Sequence, residues 1–146
     1  MESKSDEIVL DGQGEVWNVL GEEIICKVSG SKTFGRFAVV EETSPPDGFV
    51  PLHFHKHTDE IVYILEGEYE IELDGAKNAA QKGSVFIIPR GTNHSIRNVS
   101  KMPGKMLAII TPSGFEKFFA EVSKLKQPDA KKIAEIGRRN DLELVF

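Results

Sequence analysis

The sequence holds one cysteine, Cys26, so an internal disulfide is excluded and a reducing compartment is the expected setting. Cys26 lies in the apolar run IICKV, where a thiol packs as a small buried side chain. Positive charge is also short. Lys and Arg number 18 against 23 Asp and Glu, a net charge of -5, with no basic stripe to grip a phosphate backbone. That balance excludes nucleic acid as the expected partner. Long hydrophobic runs are missing too. The N-terminal MESKSDEIVLDGQGEV lacks an apolar core of signal-peptide length, and no segment approaches the ~20 residues a spanning helix needs. The expectation is a cytoplasmic chain with no membrane partner. Repeats and low-complexity tracts are absent as well, so one domain over residues 1–146 is expected. Histidine is scarce, four in all, yet three of them crowd into HFHKH as His53, His55 and His57.

What is present suffices for a core. Hydrophobic residues make up 40% and charged residues 28% of 146 positions, ordinary globular values. From about residue 16 to 111 the chain reads as short β-rich runs: VWNVL, EIICKV, FGRFAVVE, LHFHKH, EIVYILEG, EYEIELD, SVFIIP and KMLAIIT. Turn-forming stretches such as SGSK, SPPDG, DGAKN, PRGTN and KMPG separate them. Many short strands at this spacing predict an all-β sandwich or barrel. Glu68–Asp74 alternates cleanly, with Tyr69, Ile71 and Leu73 on one face, and Asp74-Gly75 then offers a tight turn. IVYIL and VFII are apolar on both faces and need cover on two sides, which predicts a homodimer. After Thr111 the period becomes helical. Ser113 three before Glu116 predicts a capping box, with Phe115, Phe118, Phe119, Val122 and Leu125 forming an apolar stripe. A second short helix follows Pro128-Asp129, roughly 130–139, and the tail LELVF closes as a strand. Residues 113–146 thus form a C-terminal helical segment and tail.

Alternate residues on a strand share a face, so His53 and His55 project into one space. Imidazole is the commonest ligand for first-row transition metals, and two make half a site. Glu60 follows after Thr58-Asp59, where a bend points its carboxylate back. The only other histidine outside this stretch is His94, in GSVFIIPRGTNHSIRN, placed after the turn at Pro89 and Gly91. If that turn lays a strand beside the first, His94 joins the cluster. His57 is expected to turn outward to a rim or surface position. Tyr63 and Phe86 read as packing residues and Arg90 as a solvated turn residue.

The second segment, Gly83-x5-Pro89-x-Gly91-x2-His94-x3-Asn98, matches the second motif of the cupin superfamily at every fixed position. Gly48-x4-His53-x-His55-x4-Glu60-x6-Gly67 is similar to the first, with four residues rather than five between Gly48 and His53. That departure alters the entry loop and leaves the ligand spacing intact. The two motifs span about a third of the chain. The resemblance implies a jelly-roll-like antiparallel β-barrel with one divalent transition metal ion, Fe, Mn, Ni, Co, Cu or Zn, held by His53, His55, Glu60 and His94. It further implies turns of positive φ at Gly67 and Gly91 and a structural role for Asn98.

Three histidines and a carboxylate leave coordination positions open for a small-molecule substrate, as catalytic sites do. Glu60 is the candidate catalytic base, since a carboxylate can leave the metal and take a proton. TPSGFEKFF and DAKKIAEIGRRNDLELVF resemble the corresponding segments of the quercetin-dioxygenase-like cupins. That resemblance implies dioxygenase-like oxidation of a small enolisable or hydroxylated aromatic substrate. Two other readings stand beside it. A non-oxidative isomerase acting on a sugar phosphate would need basic residues in the pocket, for which only Arg36 and Arg97 are candidates. A non-catalytic small-molecule or metal-binding barrel is the other.

Overall fold

The structure is a computed structural model that describes residues 7–146. Among the described residues eleven strands form two antiparallel sheets. Sheet one takes the order β1 (Glu15–Val19), β2 (Glu22–Val28), β3 (Ala38–Ser44), β10 (Gly104–Thr111), β5 (Asp59–Glu66), β8 (Val85–Ile88). Sheet two runs β11 (Glu143–Leu144), β4 (Phe49–Phe54), β9 (His94–Asn98), β6 (Glu68–Leu73), β7 (Ala76–Gln81). The sheets face each other as an antiparallel jelly-roll barrel, with helices α1 (Lys117–Ser123) and α2 (Ala130–Arg139) beyond it.

Period-2 alternation builds the interior. In β10, Met106, Ala108 and Ile110 are buried while their neighbours are half-buried. In β5 the same parity turns Glu60, Val62 and Ile64 inward, and in β6 it turns Tyr69 and Ile71 inward. Asp74 and Gly75 have φ of 46° and 86°, the pair of positive angles that a two-residue hairpin turn requires. That hairpin carries β7, AKNAAQ, a polar edge strand that its own residues did not predict; the turn and pairing with β6 make it a strand.

Two local expectations change. The run beginning at Phe34 becomes a strand only at Ala38, because residues 30–33 form a 3-10 turn that ends with Phe34 at φ 56°. The capping box at Ser113 does not form. Helix α1 begins at Lys117 with Glu116 at its N-cap, and the Glu116 carboxylate accepts from Gly114 N at 2.6 Å. Among the described residues Ser113 N donates instead to Gly35 O. Helix α2 begins where expected, its N-cap Asp129 accepting from Lys131 N and Lys132 N, and the tail pairs with β4. On the outside of sheet one, Val85, Ile87 and Tyr63 are 58%, 59% and 41% exposed, so the second apolar face of β5 and β8 is open. Among the described residues no helix is long and apolar enough to cross a membrane.

Candidate metal centre

His53 in β4 pairs directly with His94 in β9, and their rings lie 4.1 Å apart. Two residues on, His55 shares the inward parity of His53. The turn before His94 is tied to the same strand, since Gly91 N donates to His55 O at 2.7 Å. Gly91 has φ 80° there and Gly67 has φ 92°, as the motif resemblance implied. Asn98, fully buried, donates to Ser44 O, Pro45 O and Met102 O and accepts from Ser100 N, stitching the far end of β9 to two loops. Its role is structural.

The three imidazoles bring ligand nitrogens within 4.8 Å of one another, all of them buried. Their tautomers are set by backbone. His53 Nδ1 donates to Pro51 O at 2.7 Å, His55 Nδ1 to Asp141 O at 2.7 Å and His94 Nδ1 to Thr92 O at 2.8 Å. Each ring with its proton on Nδ1 keeps the lone pair on Nε2, the arrangement of metal-binding histidines. Glu60 Oε1 stands 2.9 Å from His55 Nε2, yet that nitrogen has no directed hydrogen-bond partner. The donor set of three buried imidazoles suits a divalent transition metal.

Electrostatics agree. Burial first, then the neighbouring His94 and His55, pushes His53 down to about 3. Burial also lowers His94. Burial alone would raise Glu60, but His55, then His94 and His53, hold it down at about 2. Burial lowers His55 while Glu60 outweighs it and raises it. The folded His53 lies below its usual 6.5, so the native state refuses a proton that the unfolded chain accepts. Stability present above pH 6.5 is therefore lost as pH falls toward 3, by several kcal/mol in order of magnitude. Thermal melting of chelator-treated protein should fall across that window, and the fall should be shallower in His53→Asn. Parallel pH curves for the two proteins would contradict this.

His57 is exposed, Phe86 packs against the core, and Arg90 is exposed and paired with Asp59 at 3.0 Å, as expected, but Tyr63, expected to pack, faces outward from β5 on the side away from the core. Neither Arg36 nor Arg97 lines the cavity beside the histidines. Arg36 Nε donates to Thr33 O, and Arg97 lies 4.3 Å over the Phe49 ring. Two contributors were not visible in the motifs. Phe115, from the segment before α1, packs its ring 4.2 Å from that of His55. Asp141, after α2, accepts from Lys56 N, His57 N and Thr58 Oγ1 as well as from His55 Nδ1. No spacing rule points to a residue 86 positions away.

The site opens on an apolar cavity of about 290 Å³, walled by Val40, Ala108, Ile110, Ile96, Phe118 and Ile133 among others. Comparison with known proteins fits this architecture. The cupin domain family matches residues 40–110. Quercetin 2,3-dioxygenase of Bacillus subtilis (strain 168) is 32% identical over 100 residues, 68% of this chain and 29% of that enzyme. An uncharacterized protein of Aquifex aeolicus (strain VF5) is 33% identical over 109 residues, 74% of this chain and 81% of that protein. A solved structure from Thermotoga maritima, described as a predicted oxalate decarboxylase, aligns with a TM-score of 0.66 at 26% identity. It covers 72% of this chain and 98% of that one. The match spans less than a third of the length of the Bacillus enzyme. Two separate motifs meet inside one double-sheeted barrel, and with the family match over that barrel the chain belongs to the cupin superfamily.

Proposed function

We propose that this chain is a metal-dependent oxidoreductase of the dioxygenase type, acting on a small enolisable or hydroxylated aromatic molecule. The observation that carries this reading is the set of backbone-locked imidazoles, with Glu60 beside them, facing an apolar cavity. A divalent transition metal held by His53, His55, His94 and Glu60 would supply Lewis acidity and access to dioxygen. The chain's own residues do the rest. Phe118, Ile110 and Ile133 hold an aromatic body and exclude water. Glu60, at the inner end of β5, accepts the proton of the substrate enol or hydroxyl. Similarity to the Bacillus quercetin dioxygenase supports the substrate class.

The isomerase reading is weaker here, because no Lys or Arg among the described residues lines the cavity to receive a phosphate. Oxygen-electrode assays with flavonols and simpler enolisable aromatics, on protein loaded in turn with each candidate metal, test the proposal. Uptake dependent on both metal and substrate is the expected result. No uptake with any combination would favour the non-catalytic binding barrel.

The homodimer expected from the two-faced strands belongs to the same proposal, with Val85, Ile87 and Tyr63 as the self-association face. Sedimentation at micromolar concentration should give twice the 16.2 kDa chain mass. A single 16.2 kDa species would contradict it.

A further inference from the structure

Two carboxyls on the cavity wall play no part in the reading above. Glu22 on β2 and Glu42 on β3 both line it. Ile24 pairs with Glu42, and Glu22 is two residues before Ile24, so all three share the inward face. Glu22 and Glu42 are therefore diagonal cross-strand neighbours, about 7–8 Å apart at their backbones and within reach through long side chains. Glu42 is four residues along β3 from Ala38, which pairs with Ile110, the partner of Glu60. At about 3.3 Å per residue the pair sits about 13 Å along the strands from the level of Glu60. The cavity is thus polar at two ends and apolar between them.

Glu42 is the side chain that needs explaining. It is half-buried, it faces the cavity, and no side chain or backbone group among the described residues hydrogen-bonds to it. A carboxyl drawn partly out of water and lacking a protein partner is best satisfied by whatever occupies the cavity. Its neighbour Glu22 has the Ser44 hydroxyl as a partner. Two carboxyls this close with no cation on the cavity wall favour sharing one proton, and burial acts in the same direction on both. A protonated carboxyl beside an ionised one offers one O–H donor and several acceptor lone pairs. A neutral hydroxyl carries the matching donor and acceptor. An anion would meet negative charge with no cation beside it.

We propose that Glu22 and Glu42 form a second anchoring point in this cavity, a subsite for a neutral hydroxyl of an aromatic ligand whose other end lies against His53, His94 and Glu60. This rests on reading the cavity as a substrate site, and it narrows the substrate class to aromatic molecules with a hydroxyl at the end away from the histidines.

The test is binding, kept apart from turnover. Metal-free protein is titrated with 2-naphthol, naphthalene and 2-naphthoate, following ligand fluorescence. Naphthol should bind about tenfold more tightly than naphthalene, the scale of a net hydrogen bond or two, and naphthoate should bind most weakly. In Glu42→Leu the naphthol advantage should vanish while naphthalene affinity stays within about twofold. Glu22→Leu serves as the second variant should the first fail to fold, with the same expectation. No naphthol advantage in the wild type, or an undiminished advantage in a folded leucine variant, overturns the subsite. Oxygen uptake is read separately. A naphthol advantage lost in the leucine variant, with no uptake by any metal form, keeps the subsite and removes the dioxygenase reading. Uptake with an unchanged KM in Glu42→Leu does the reverse.

Discussion

Metal-saturated Glu60→Gln should lose turnover of a flavonol or other enolisable aromatic by about 10²–10⁴-fold, the span of general-base removal, with substrate binding retained. The amide keeps the shape of the carboxylate and an oxygen that faces the metal centre, but it cannot accept a proton at neutral pH. Glu60 is well placed for the role, being buried at the inner end of β5 and turned into the cavity. Burial raises its carboxyl while His55 first, then His94 and His53, hold it down at about 2, so at neutral pH it is ionised and has the lone pairs to accept a proton. Metal content measured on the same samples separates the two roles of Glu60. Activity that returns fully at saturating metal would make it a ligand and nothing more.

Removing the Asp141 side chain should weaken metal binding by about 10–100-fold, although Asp141 does not face the metal centre. Its carboxylate accepts from Lys56 N at 2.9 Å, His57 N at 2.9 Å and Thr58 Oγ1 at 2.6 Å. Those groups form the bend between His55 and Glu60, so the carboxylate holds both at their relative angle. Its own carbonyl fixes the His55 ring at 2.7 Å. Asp141→Ala leaves three donors without their acceptor, one of them on the buried Thr58, at a cost of about 2–4 kcal/mol in stability. Competition against a chelator of known affinity reads the first effect and thermal melting the second. Destabilisation with unchanged metal affinity would assign Asp141 to the fold alone.

Much of this site was legible in the sequence because strand parity and turn chemistry are local rules. His53 and His55 two apart on a strand had to share a face, and the Pro89–Gly91 turn returned His94 beside them. The outward course of His57 followed from the same bend that turns Glu60 inward. The hidden parts were those that local rules do not reach. β7 is polar and exists because a hairpin presents it to β6. Asp141 depends on where a helix at the other end of the chain comes to rest. Glu42 did leave a trace, an acidic residue on the buried parity of Ala38, Val40 and Ser44. In an alternating strand that is the position where a charge has no ordinary reason to be.

The clamp from Asp141 also sets an order of events in time. A chain made from its N-terminus presents all three histidines and Glu60 well before residue 141 exists. Until α2 has packed and Asp141 has closed on it, the His55–Glu60 bend lacks these contacts, so the site's angles are completed by the C-terminal segment and not by the motifs alone.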